Sequence, residues 1–205
     1  MATNLLVAAL LTPTTALAQI ITISSGSQFS LGSGSLSAGC GDLAVAGTLS
    51  IDSGSANNIR NVAISPGTIN GGSGQVTLSG DWLNQGTFNA QTGTVQVTDG
   101  CGTTLSQLRG DTTFNRFVAS TSSGKQLQPA SGSTQTFTGG LALSSTGADR
   151  LLIRTSSAGA TAAFTLNQGV SQSISGVDVQ DIDSSAGATI APGSPARFNS
   201  VDSGN

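Results

Sequence analysis

Apolar residues in the middle of this chain come in pairs two positions apart: Leu43 and Val45, Leu49 and Ile51, Val62 and Ile64, Val76 and Leu78, Val95 and Val97. That spacing puts both members of a pair on one face of a strand. Each pair is followed within a few residues by Gly, Asn or Asp, the residues that turn a chain. The pattern predicts short strands and frequent corners. It also repeats, because one phrase is written three times between Leu43 and Gly93, as LAVAGTLSIDSG, VAISPGTINGGSG and WLNQGTFNAQTG. The Gly-Thr pairs fall at Gly47-Thr48, Gly67-Thr68 and Gly86-Thr87, so the threonines are 20 and 19 residues apart. A repeat this short cannot enclose a core alone and must stack on its neighbours to bury its apolar side chains. The prediction is an all-β fold, a single-stranded, right-handed parallel β-helix or solenoid running from about Gln19 onward. It would have roughly eight or nine coils at ~20 residues each, with Thr48 over Thr68 over Thr87. A β-sandwich would show longer strands and hairpin signals instead.

The same ingredients extend on both sides of the phrase. Ile21 and Ile23, then Phe29 and Leu31, read as opening coils between Ser-Gly turns. Beyond Cys101 come Phe114, Phe117, Phe137, Leu141 and Leu143, Leu151 and Ile153, Phe164 and Leu166, and the phenylalanines are expected to stack inside successive coils. Trp82, the single Trp, holds the place in the phrase that Leu43 and Val62 hold, which assigns it to the core rather than to a sugar-stacking surface. Pro66 sits at a corner, where its missing N–H interrupts no ladder. The small residues of Thr155–Ala163 predict a loop bulging from one coil, and Ile174–Asp183 a last strand region. Solenoids need polar caps on their end coils, and none is visible near Ser203-Gly204-Asn205. The domain at 19–205 is therefore expected to be a fragment truncated at its C-terminus.

Residues 1–18 form an apolar run ending in Ala16-Leu17-Ala18, the small-x-small form that precedes signal-peptidase cleavage. They predict a signal peptide cut between Ala18 and Gln19. The n-region carries no Lys or Arg, so a capping helix or first strand is the alternative. No later segment approaches the ~20 apolar residues of a transmembrane helix. Composition agrees with export: 8% of residues are charged, against roughly 25% in soluble domains, so Ser, Thr, Asn, Gln and Gly must keep the surface wet. A net charge of −3 disfavours a phosphate-binding surface and so a nucleic-acid partner.

The chain has no His, which removes Ser-His and Cys-His catalysis and the commonest general base. Two cysteines without histidine cannot close a zinc site. No catalytic residue and no cofactor is expected. The one dense acidic patch, Asp178, Asp181 and Asp183, could collect Ca²⁺ around a turn if the chain bends near Asp181; as solvated turn aspartates they would instead cap their own backbone, which is the preferred reading. Arg150 and Arg154 flank Leu151 and Ile153 on the outer face, where they could meet an anionic sugar in a lyase-like enzyme or serve as solubilising charges.

Cys40 and Cys101 are an even pair in a chain read as exported, which predicts a disulfide. Their separation of 61 residues is near three repeats, or roughly 15 Å along the stack, whereas a disulfide needs Cα atoms within ~7 Å. The bond demands either that the segment around Cys40 leave the stack or that the opening coils count differently.

Gly80-Asp81-Trp82-Leu83-Asn84-Gln85-Gly86-Thr87-Phe88-Asn89-Ala90, followed by Thr92-Gly93-Thr94-Val95, resembles the GDW-N-GTF-type repeats of bacterial exported, repetitive β-helix proteins, adhesin-like surface proteins of Gram-negative bacteria. Val177–Asp181 and Asn199–Asn205 are similar to later segments of those proteins. The resemblance spans roughly Cys40 to Asn205, and its motifs specify a fold rather than a site. It implies a secreted or cell-surface protein of structural or adhesive character, whose expected partners are surface glycans or other cell-surface proteins. A carbohydrate-active, lyase-like enzyme and a phage-like glycan-binding tail-spike segment are the alternatives.

Overall fold

A computed structural model describes residues 20–190 and the backbone of the short strand Arg197–Phe198. The expected signal peptide with its Ala18–Gln19 cleavage, and the closing segment Asn199–Asn205, lie outside the described residues. The fold is a β-solenoid of about seven turns, with no helix among the described residues. Each turn passes through three faces. The first face begins with Ile20–Ile23 and continues upward through Leu43, Val62, Trp82 and Leu108, each paired in parallel with the next. The second is a four-stranded sheet of Gln28–Ser30, Thr48–Ser50, Thr68–Asn70 and Thr87–Asn89. The third runs through Ser35, Ser55, Gln75, Thr94, Arg116, Gly140 and Ser171, and all of its pairings are parallel. Thr48, Thr68 and Thr87 stack in register as the repeat requires.

Alternation fills the interior. Leu43, Val45, Leu49, Ile51, Val62, Ile64 and Ile69 are all buried, while Thr48, Ser50, Thr68 and Asn70 between them keep a solvated edge. Trp82 is fully buried in register with Val62 and Leu108. From it an aromatic column climbs the core: Trp82 meets Phe88 at 4.9 Å and Phe114 at 5.6 Å between ring centroids, Phe114 meets Phe117 at 4.8 Å, Phe117 meets Phe137 at 5.6 Å, and Phe137 meets Phe164 at 5.3 Å. Edge-on and tilted pairs at these distances add to the plain burial of the rings.

The Gly of the Gly-Thr phrase marks a corner where one coil lies close against the next. A Cβ on Gly67 would stand 2.4 Å from the Val45 carbonyl oxygen, and one on Gly86 would stand 2.3 Å from that of Gly67. No side chain fits there, so the phrase repeats its glycine because the stack repeats its contact. The Ser65–Pro66 bond at the same corner is cis.

The turns number about seven rather than eight or nine because the coils lengthen. Val76 pairs with Val95, 19 residues on, but Val95 pairs with Phe117, Phe117 with Leu141 and Leu141 with Gln172, steps of 22, 24 and 31 residues. The extra residues lie in corners, where they cost no ladder pairing. Part of the longest step is the loop between Leu151–Arg154 and Ala162–Leu166, whose residues 156–161 are exposed as the run of small residues predicts; Ala162 and Ala163 belong to the following strand.

Candidate functional site

The ionisable side chains concentrate where the third face turns into the first, and most are spent on holding coils together. Asp42 receives Nε and Nη2 of Arg60 at 2.9 Å each and the side-chain amide of Asn61 at 3.0 Å. Hydrogen bonding to the Arg60 guanidinium, against a smaller opposing effect of burial, holds this carboxyl below its usual range. Asn61 Oδ1 in turn accepts the Asp81 backbone N–H, and Asp81 Oδ1 accepts that of Gln107, so the chain of contacts runs from coil to coil.

The predicted disulfide is formed, with Cys40 and Cys101 Cα atoms 5.3 Å apart. Two local departures bridge the coils between them. Around Cys40 the ladder is irregular, since Ser37 pairs with Asn57 but Gly41 with Ile59, and both Gly39 and Cys40 take positive φ. After Val97 the corner is long: eleven residues separate Val97 from Leu108, whereas four separate their partners Leu78 and Trp82. These seven added residues let Cys101 reach back across the side of the rod. The sequence reading placed the departure at Cys40 or in the coil count, and the larger part of it belongs to the Cys101 corner.

Behind this corner lies Lys125, the single lysine, 1% exposed. Its Nζ donates toward the Ser79 carbonyl at 2.6 Å, the Thr103 carbonyl at 2.9 Å, Ser106 Oγ at 3.3 Å and Thr103 Oγ1 at 3.4 Å. Burial pushes its pKa down, and the carboxylates of Asp99 and Asp81 oppose that. Sequence reasoning missed this residue. Its only signal was that a chain otherwise using Arg as its base holds one Lys, between a Gly and an apolar-alternating strand.

The acidic patch is not assembled as a cation site. Asp178 is paired with Arg154, whose Nη2 reaches Oδ1 at 2.8 Å. Asp181 takes φ +60 at the corner and is buried, its Oδ2 accepting the Gly159 N–H. Asp183 Oδ1 accepts the Ser185 N–H two residues on, a turn cap. The bend expected at Asp181 is present, yet the three carboxylates serve three different partners, and among the described residues no group of three possible ligands surrounds a common point. Arg154 lies on the outer face as the alternation predicts, and there it is engaged by Asp178.

A shallow groove of about 330 Å³ runs along the corner from the second face to the third, lined by Ser33, Ser35, Ser53, Ser55, Ser73 and Gln75 with glycines between them. Its walls are uncharged hydroxyls and amides, several bonded to one another, as Ser55 Oγ is to Ser35 Oγ at 3.1 Å. Such a surface can exchange hydrogen bonds but supplies no acid, base or nucleophile of shifted pKa. No protein-family model, curated protein or solved structure matches this chain.

Proposed function

We propose that this chain is a non-enzymatic structural or adhesive rod, exported and displayed at the cell surface. The observation that carries the reading is the outward columns of the solenoid. Thr48, Thr68 and Thr87, with Ser50, Asn70 and Asn89 beside them, form an uncharged polar array stacked at the coil repeat and cross-linked by its own amides, Asn89 Nδ2 to Asn70 Oδ1 at 2.9 Å. A stiff scaffold that repeats weak hydrogen-bonding groups suits multivalent contact with a neutral surface, where many weak contacts add. The disulfide supports an oxidising compartment, and among the described residues no helix is long and apolar enough to cross a membrane. Surface glycans and other cell-surface proteins are the partners of this reading.

The full chain, expressed with its N-terminus intact in a Gram-negative host, tests it. Material recovered outside the cytoplasm should begin at Gln19 and should retain cells or beads on glycan-coated surfaces without releasing sugar products. Release of unsaturated uronate from a polyuronate, lost in Arg150→Ala or Arg154→Ala, would replace this reading with the lyase one. Intracellular material still beginning at Met1 or Ala2 would remove the surface location.

A further inference from the structure

Beyond its root, where Asp99 is tied to Thr121 and Ser122, the seven-residue insertion after Val97 is held against the rod at two points of different chemistry. One is covalent, Cys101 to Cys40. The other is polar. Gly100 backs onto Ser79, where an added Cβ would lie 3.5 Å from the serine Cβ. The Thr103 hydroxyl and Ser106 Oγ both donate to the Ser79 carbonyl. Lys125 closes this cluster from the next coil, its Nζ reaching Ser79 on one coil and Thr103 and Ser106 on another.

Three ammonium hydrogens face four oxygens, an arrangement that satisfies a buried cation only while the insertion stays seated. If the insertion left, Lys125 would lose the Thr103 contacts, and the Ser79 carbonyl would lose the Thr103 hydroxyl. The charged groups facing the ammonium are Asp99 and Asp81. Asp99, at the root of the insertion, is tied to the Lys125 coil by Thr121 Oγ1 at 2.8 Å and the Ser122 N–H at 2.7 Å, whereas Asp81 belongs to the frame and accepts the Gln107 N–H.

We propose that the insertion is a two-point latch in which the Lys125 ammonium is the pin: it seats residues 100–104 across the corner independently of the disulfide and presents Cys101 to Cys40. Reducing the disulfide then leaves the latch closed, and the bond re-forms within the molecule. Lys125 acts through the insertion and is a positioning residue for the disulfide.

Hydrogen exchange on the full chain tests this. In Cys40→Ala/Cys101→Ala the amides of residues 100–107 are expected to remain within about threefold of their wild-type exchange rates, and adding Lys125→Met is expected to raise them by about tenfold or more while strands of the aromatic column keep their protection. Free exchange of 100–107 as soon as the disulfide is absent, or no change on adding Lys125→Met, overturns the proposal. Reoxidation gives a second readout. Reduced wild type should return to the monomeric Cys40–Cys101 form, and folded Lys125→Met should do so about tenfold more slowly because the effective concentration of the two thiols falls. Equal rates would overturn the positioning role. Should Lys125→Met not fold, loss of protection in the cysteine double variant still overturns the proposal, and Lys125→Gln, which keeps a polar end on the side chain and removes its charge, takes the place of Lys125→Met in the exchange comparison.

Discussion

At Gly67 the distance of 2.4 Å from a built Cβ to the Val45 carbonyl leaves no room for even the smallest side chain. The obstruction is backbone, which cannot swing aside, so Gly67→Ala should cost on the order of 1–3 kcal/mol, as overpacking does. A urea midpoint shift measures it, and an unchanged midpoint would mean that the coils slide apart freely at that corner. Two carboxylates set the acid limit. Asp42 is held low by Arg60. Asp99 is pushed up by burial, but the N–H of Ser122 and the side chains of Thr121, Ser122 and Ser123 outweigh that, so it too lies below the ordinary value of 3.8. A carboxyl whose folded pKa lies below its unfolded value adds stability that is fully present above the unfolded value and is lost as pH falls through the folded one. Stability should therefore be flat between about pH 5 and neutrality and fall below about pH 4. Asp42→Asn should shallow the fall in an acid titration followed by circular dichroism.

Four strands run to ten or more residues where they round a corner, but several have only three, and a ladder that short has little stability of its own. What joins them is the interior column. Phe114 is its hub, in contact with Trp82, Phe88, Phe117 and Phe137. Phe114→Ala should cost about 3–5 kcal/mol, the usual range for a buried Phe. Phe29 lies on the first coil with 45% of its surface exposed, and Phe29→Ala should stay within about 0.5–1 kcal/mol of wild type. Denaturant melts of the two variants make the comparison, and similar losses would mean that the first coil is covered in solution.

A rod whose coils touch only their neighbours gains stability from nearest-neighbour interfaces and can fray from its ends. Ile20–Ile23 is paired on one side only among the described residues, and with Ile20 64% exposed it is the place for fraying to begin. The disulfide works against this by tying coils that do not touch. Its closure of a 61-residue loop is worth about 4 kcal/mol in the chain-entropy model, so Cys40→Ala/Cys101→Ala should lower the unfolding free energy by about that amount in a denaturant melt. A loss near zero would mean that the reduced unfolded chain is already compact.

The repeated part of this protein is written in the order of its residues. Alternation at Leu43, Val62 and Trp82 and the Gly-Thr spacing specify coil, register and inward face, because a stacked coil sees the same neighbours each time and writes the same residues in answer. The aromatic assignments at Phe114, Phe137 and Phe164 were legible for the same reason, whereas Phe29, on the first described coil, has no coil beneath it among the described residues and stays half exposed. Only the tertiary structure decided what does not repeat. The coil count fell to about seven because insertions in corners break no ladder and so leave no mark in the apolar pattern. Asp178 turned toward Arg154 and Asp181 toward Gly159 because contacts one coil apart join residues 22 and 24 positions away, a distance the widening coils made unreadable. The closing of Cys40 on Cys101 was readable as chemistry but not as geometry. The reach that permits it, and the buried Lys125 behind it, exist only once seven added residues have folded back over Ser79, because a cation that far from water is tolerable only where the assembled coils supply its oxygens.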